Sequence, residues 1–263
     1  MIVDKINSYL STEGKEIEAA ILEETAKLGS WAFSKQFGVR EKREKKAPYF
    51  SSIGKCLRQQ AYGLLGYPED GKELDSRAKM VFFMGDMAEL AIVQVAKVAG
   101  VRIEATGSGQ ESVEWNGMRG RPDGIVDGTH VLEVKSMSSF SFRDFEGGKL
   151  DDGYRYQCNA AMIALNLKKT VIVALNKDAG VLAEMIIDRD PLIEADIKAR
   201  LDTLAKVTKE DLPYRPYAPD AKGFLPWQCR YCAFYNICWP GSVLVPVSGK
   251  YKLRAKETTK ITA

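Results

Sequence analysis

GRPDGIVDGTHVLEVKS, residues 120–136, decides the fold. Two short β-rich runs flank an Asp127-Gly128 turn, so the stretch reads as adjacent strands. Successive side chains on a strand face opposite ways, which puts Glu133 and Lys135 on one face and Leu132 and Val134 on the other. With Asp127 to Thr129 as the turn, Asp123 falls opposite Glu133. Two facing carboxylates repel unless something positive lies between them. A hard divalent cation resolves the conflict, and Mg²⁺ typically takes one or two carboxylates plus a substrate phosphate. Lys135 beside such an ion would orient or activate a water, or neutralise charge growing on a phosphate oxygen. The competing reading is a surface hairpin with an ordinary Glu–Lys contact.

Working outward, VRIEAT (101–106), ESVEW (111–115), MRGRPDGIV (118–126) and HVLEVKS (130–136) are β-rich, the second and third joined by Asn116-Gly117, a hairpin signal. TVIVALN and VLAEMIID follow around KDAG. Helical spacing is expected over residues 4–36, after a Ser cap in SSIGKCLRQQAYGLLGY (51–67), over 77–99 up to Gly100, from about Tyr154 to Leu167, and from Pro191 to about Lys206. The order predicts an α/β fold: a mixed central sheet flanked by helices, a crossover helix, a helical N-terminal arm, and a helical, cysteine-rich C-terminal part.

The 263 residues suit one large domain, and 45% hydrophobic with 28% charged content is ordinary for a globular protein. A net charge of +3 says little about partners, but its distribution says more. Lys35 to Arg58 holds eight basic residues against Glu41 and Glu44, and Lys250 to Lys260 holds five against Glu257. Such segments suit phosphate contacts, or are simply solvated charge runs. No apolar run reaches a membrane span and the N-terminus lacks a signal-peptide core, so a cytoplasmic protein with reduced thiols is expected. Its clustered cysteines then read more readily as metal ligands than as disulfides. Cys229, Cys232 and Cys238 form a C-x2-C-x5-C array, one ligand short of a tetrahedral site.

Pro122-Asp123 with Glu133-Val134-Lys135 resembles the core of the PD-(D/E)xK nuclease superfamily, with a restriction-endonuclease-like fold. The flanks resemble its RecB-like branch: Gly85 to Glu89 for a Gly-x-x-x-His stretch, with Glu89 in the histidine's place, and Gln157 for a glutamine-centred motif. The tyrosine usually four residues later is Ala161 here, leaving Tyr154 or Tyr156 to substitute. Cys56, Arg58 and Tyr62, ahead of the three late cysteines, resemble the iron–sulfur nucleases of this branch, including CRISPR-adaptation, AddB-type and phage-encoded enzymes. The resemblance spans residues 48–240 in widely spaced motifs.

It implies Mg²⁺ or Mn²⁺ held by Glu89, Asp123, Glu133 and the Val134 carbonyl, with Lys135 and Gln157 completing the catalytic set. It also implies a [4Fe–4S] cluster on Cys56, Cys229, Cys232 and Cys238, with zinc the alternative that thiolates equally suit. Trp227, Phe234, Tyr235 and Trp239 would shield the cluster or stack on bases, Cys158 would be a small buried residue, and His130 a solvated turn residue. The chain is expected to be a single nuclease domain over 1–263, with its catalytic core at 77–190 and a cluster-binding region at 48–66 plus 224–240. Its partner would be DNA, single-stranded or with a free end, with no membrane and with a helicase or recombination partner left open. The activity implied is phosphodiester hydrolysis by an exonuclease. The alternatives are a non-catalytic DNA-end-binding subunit and a four-cysteine zinc structural protein. GYPEDGK, Gly66 to Lys72, matches a nucleotide loop, but Glu73 replaces the Mg²⁺-binding Ser or Thr, so no ATPase is expected.

Overall fold

A strand apolar on both faces belongs in the middle of a covered sheet, and TVIVALN is such a run. The computed structural model describes residues 1–14, 16–39, 47–70, 76–105 and 112–256. In chain order it has α1 (Ile2–Leu10), α2 (Ala19–Phe37), α3 (Leu57–Leu64), α4 (Ser76–Val98), β1 (Ile103–Glu104) and β2 (Val113–Trp115). There follow β3 (Met118–Gly120), β4 (Gly124–Val126), β5 (His130–Met137), α5 (Ser139–Glu146), α6 (Asp152–Ala164), β6 (Lys169–Asn176) and β7 (Val181–Asp188). Last come α7 (Pro191–Lys206), α8 (Trp227–Arg230), α9 (Tyr235–Cys238), β8 (Val243–Val247) and β9 (Lys250–Arg254). They divide into two compact units, the first within Met1–Arg43, Ala47–Gly54 and Leu74–Leu201, the second chiefly within Lys55–Glu73 and Asp202–Ala263.

The first unit is built on a five-stranded sheet of order β1-β4-β5-β6-β7. β5 and β6 are parallel, joined by α6 as the crossover, and the other neighbours are antiparallel, so the sheet is mixed as expected. Ile2, Val3 and Ile6 of α1 and Ile92, Val93 and Ala96 of α4 pack with Leu132, Val134, Val171 and Val173 in one core. That burial removes one face of β5 from water, while α6 lies against the strand by way of Gln157 and Glu133. Asn116 and Gly117 both adopt positive φ between Trp115 and Met118, the geometry of a type I′ turn. The second hairpin pairs Val126 with His130 around Asp127 and Gly128, both also at positive φ.

Several expectations change. MRGRPDGIV is two strands, because Pro122 has no N–H to offer a ladder. Residues 4–36 form two helices with a break before Ala19, and VRIEAT pairs only at Ile103–Glu104, with Thr106 outside the described residues. The expected Ser cap is absent: Ser52 bonds to Tyr49, and Cys56 occupies the N-cap position of α3. The crossover helix begins at Asp152, where Asp151 accepts the Gly153 amide at 2.8 Å, and ends at Ala164. α5 was not foreseen. The C-terminal part is not wholly helical, since β8 and β9 form a hairpin through Ser248 and Gly249 at positive φ.

In the second unit Leu225, Cys229 and Leu253 pack with Tyr217, Tyr235 and Trp239. Asp70 ties this unit together by accepting the Asn236 amide at 2.9 Å and donating its own to the Ala233 carbonyl at 2.6 Å. Residues 40–46, 71–75 and 257–260, which carry parts of both basic segments and the end of GYPEDGK, lie outside the described residues. No helix among the described residues is long and apolar enough to cross a membrane.

Candidate active site and cysteine centre

The β4–β5 pairing runs Val126 with His130, Ile125 with Val131 and Gly124 with Leu132, and one further step sets Asp123 opposite Glu133. The ladder stops there. Beyond it the register would place Pro122 opposite Val134, and a proline can give the Val134 carbonyl no hydrogen bond. The Val134 amide instead donates to Asp123 Oδ2 at 2.7 Å. Proline therefore frees the end of β5, and an aspartate side chain takes over one ladder bond.

Glu133 is 2% exposed, rare for a carboxylate unless it is held by partners. Its Oε1 accepts Gln157 Nε2 of α6 at 2.7 Å and also pairs with Lys135 Nζ. Gln157 Oε1 in turn lies 3.5 Å from Lys135 Nζ, and that ammonium sits 4.7 Å from the Tyr154 ring centre. Burial works against a charged Lys135, but Glu133, then Asp123 and Tyr154, outweigh it and raise its pKa. Burial, followed by the Glu133 and Glu89 charges, pushes the Asp123 carboxyl well above the usual carboxylate range, against the pull of the Val134 amide and Lys135. Three acids from α4, the approach to β4, and β5 thus act on one another.

Of the residues expected at this site, Asp123, Glu133, Lys135 and Gln157 join in one hydrogen-bonded group, and Glu89 lies within electrostatic reach of Asp123. Tyr154, not Tyr156, stands over Lys135; Tyr156 bonds Asp196 of α7 instead. His130 lies at the start of β5, its Nδ1 2.8 Å from Thr129 Oγ1.

In the second unit Cys56, Cys229, Cys232 and Cys238 line one cavity with Gln59, Tyr62, Arg215 and Trp239. Burial, then the Cys238 and Cys56 sulfurs, raises the Cys229 thiol to about 11, and burial raises Cys232 to about 12 against the Phe234 amide. That amide lies 3.4 Å from Cys232 Sγ. Burial also raises Cys56, opposed by the backbone amides of Gln59 and Arg58 at the start of α3. Arg58 Nε bonds Tyr62 Oη at 2.9 Å and its Nη1 bonds the Pro213 carbonyl at 2.6 Å, anchoring the cysteine helix to the connector.

Four thiols lining one cavity suit a thiolate-ligated centre, whose binding must displace their protons. Among the described residues no three His, Cys, Asp or Glu side chains already stand in the geometry of a formed metal site. Tyr235 and Trp239 line the cavity, Phe234 is buried against Tyr62, and Trp227, 65% exposed, lines no part of it. Arg215, which was not foreseen, stacks 4.7 Å from Trp239 at the cavity wall. Cys158 is fully buried on α6 and lines no part of that cavity.

No protein-family model and no curated protein matches the chain. Solved structures do. LHK-Exo, an alkaline exonuclease from Laribacter hongkongensis solved in complex with dAMP, aligns over 67% of this chain and 90% of its own at 16% identity, with a TM-score of 0.47. A phage-related exonuclease from Haemophilus somnus 129PT aligns over 78% and 91% at 13% identity, with a TM-score of 0.33. SSO0001 aligns over 82% and 96% at 20% identity, with a TM-score of 0.49. At TM-scores below 0.5 these partial likenesses assign no chemistry to this chain.

Proposed function

We propose that this chain is a metal-dependent deoxyribonuclease, an exonuclease of the RecB-like type acting on single-stranded DNA ends. The observation that carries the reading is the buried Glu133, pinned through Oε1 by Lys135 and Gln157 while Asp123 is pinned through Oδ2. Each acid is anchored through one oxygen, and Glu133 Oε2 and Asp123 Oδ1 would be the oxygens offered to a cation. Glu89 and the Val134 carbonyl would complete the set for Mg²⁺ or Mn²⁺, with residues 77–190 as the catalytic core.

When bound, the divalent ion supplies charge that offsets the phosphate and eases deprotonation of the attacking water. Lys135 donates a hydrogen bond to that water or to a non-bridging phosphate oxygen, and Gln157 fixes the direction of the ammonium. The water oxygen bonds to phosphorus as its proton passes to solvent, the ester P–O bond breaks in line, and the leaving oxygen takes up a proton from solvent.

The four cysteines would hold a [4Fe–4S] cluster with a structural role, zinc being the other centre their chemistry admits. Pure protein is given end-labelled linear and covalently closed single-stranded DNA with Mn²⁺. Linear strands should be digested without ATP, and binding should weaken steeply as salt rises. Glu133→Gln should abolish cleavage while binding stays near wild type. Circles cut as fast as linear strands would remove the exonuclease assignment, and wild-type rates in Glu133→Gln would remove the active site.

A further inference from the structure

A helix apolar on every side is normally buried, yet the first half of α4 is not. In the run KMVFFMG, Met80, Val81, Phe82 and Met84 are 48–57% exposed. The neighbouring end of α2 adds Trp31, Phe33 and Phe37, 41–58% exposed. The two helices run antiparallel, since Lys97 bonds Glu24 at 2.8 Å at one end and Lys35 bonds Asp86 at 2.7 Å toward the other. Phe83 is the position of that run that turns inward, 5.2 Å from Phe37 and 6.0 Å from Phe33 between ring centres. The helix pair is thus fixed by its own contacts while aromatic and methionine side chains stand exposed on both flanks, Phe82 and Trp31 on the flank that carries Glu89. Patches of this kind mark binding surfaces.

Charge and position select the occupant. Lys27, Arg77 and Lys79 are exposed on the same two helices, and Lys35 Nζ sits 4.8 Å from the Trp31 ring centre. Exposed rings interleaved with cations suit a strand that offers base faces and phosphates together. The surface also continues toward the acids: Trp31 and Glu89 line one groove between α2 and α4. Along α4, Phe82 to Glu89 is about 10 Å, which is about three nucleotides of a stacked strand.

We propose that one flank of the α2–α4 pair, from Phe82 through Trp31 to Glu89, is a base-stacking track that feeds single-stranded DNA to the candidate active site. The proposal rests on the nuclease reading for its direction, but its binding test does not depend on cleavage.

In EDTA, the full chain is titrated against labelled oligothymidylate and against an abasic deoxyribose-phosphate oligomer of the same length. Wild type should prefer the strand with bases by at least about tenfold. Trp31→Ala and Phe82→Ala should each erase most of that preference, Phe82→Trp should keep it, and Leu192→Ala, exposed on α7, should leave it unchanged. Equal affinity of wild type for the two probes would overturn the proposal, as would aromatic variants that keep the preference. A wild-type dimer that Phe82→Ala dissociates, with the preference intact, would assign the face to a second copy instead. Base-dependent binding without any cleavage by wild type would sink the nuclease reading and leave the track standing.

Discussion

The acidic hairpin and the cysteine cavity gather their side chains in opposite ways. In the first unit Asp123, Glu133 and Lys135 hang on a paired ladder or at its end, and every charge has a hydrogen-bonded counterpart within the protein. In the second, the four thiols come from an N-cap, two four-residue helices and the turn between them. A ladder fixes its side chains through backbone bonds that form without a ligand. Short helices and turns supply few such bonds, so the positions of these thiols rest on side-chain packing and a few ties such as Asp70 to Asn236. The acidic site is preorganised by the sheet, whereas on the proposed function a bound centre would organise the surroundings of the cysteines.

Removing one thiol tests this contrast most severely. A thiolate centre contributes on the order of 10 kcal/mol to the fold that holds it. If the proposed centre is present, Cys232→Ala should therefore abolish metal binding, with residues 202–256 becoming open to protease. Metal analysis and limited proteolysis check this, and a variant that keeps a resistant second unit would erase the difference between the sites. Stoichiometric zinc without iron would change the cofactor and leave the contrast intact.

The next largest effect separates activity from stability. Asp123→Asn should lower cleavage about a thousandfold or more, because it removes one of the proposed metal ligands. Thermal denaturation in chelator should nevertheless show equal or greater stability, by about 1 kcal/mol, since burial and the Glu133 and Glu89 charges disfavour the ionised acid. The asparagine oxygen can still accept the Val134 amide. Unfolding of this variant would mean that the site is not preorganised.

Gln157→Leu removes a partner from a 2%-exposed carboxylate, at a cost of about 1–3 kcal/mol by denaturant titration. Cleavage should fall further than stability alone explains, because the Lys135 ammonium loses its second contact. The smallest expected effect is Cys158→Ser, about 1 kcal/mol of stability with the metal content unchanged. Any loss of iron in that variant would put a fifth cysteine at the centre.

Much of the hairpin was legible because turn chemistry fixes register. Asp127-Gly128 sets the loop length, strand alternation sets the faces, and together they put Asp123 across from Glu133. α5 was missed although its signal was present: Ser138 accepts the Ser141 amide at 3.4 Å, and Phe142 and Phe145 follow three residues apart on the buried side. The β8–β9 hairpin was hidden by reading Lys250 to Lys260 as a charge run, when Ser248-Gly249 between alternating segments marks a turn.

By itself, the sequence determined the mixed α/β order and the hairpin register, since each follows from periods and turns a few residues long. Tertiary structure decided what depends on distant chain. It chose Tyr154 over Tyr156, because α6 turns the first toward Lys135 and the second toward Asp196 of α7. It brought Cys56 to cysteines more than 170 residues away, a meeting no local pattern fixes. It also left the first half of α4 exposed, because a helix's own sequence sets how apolar it is, while the surrounding fold sets what covers it.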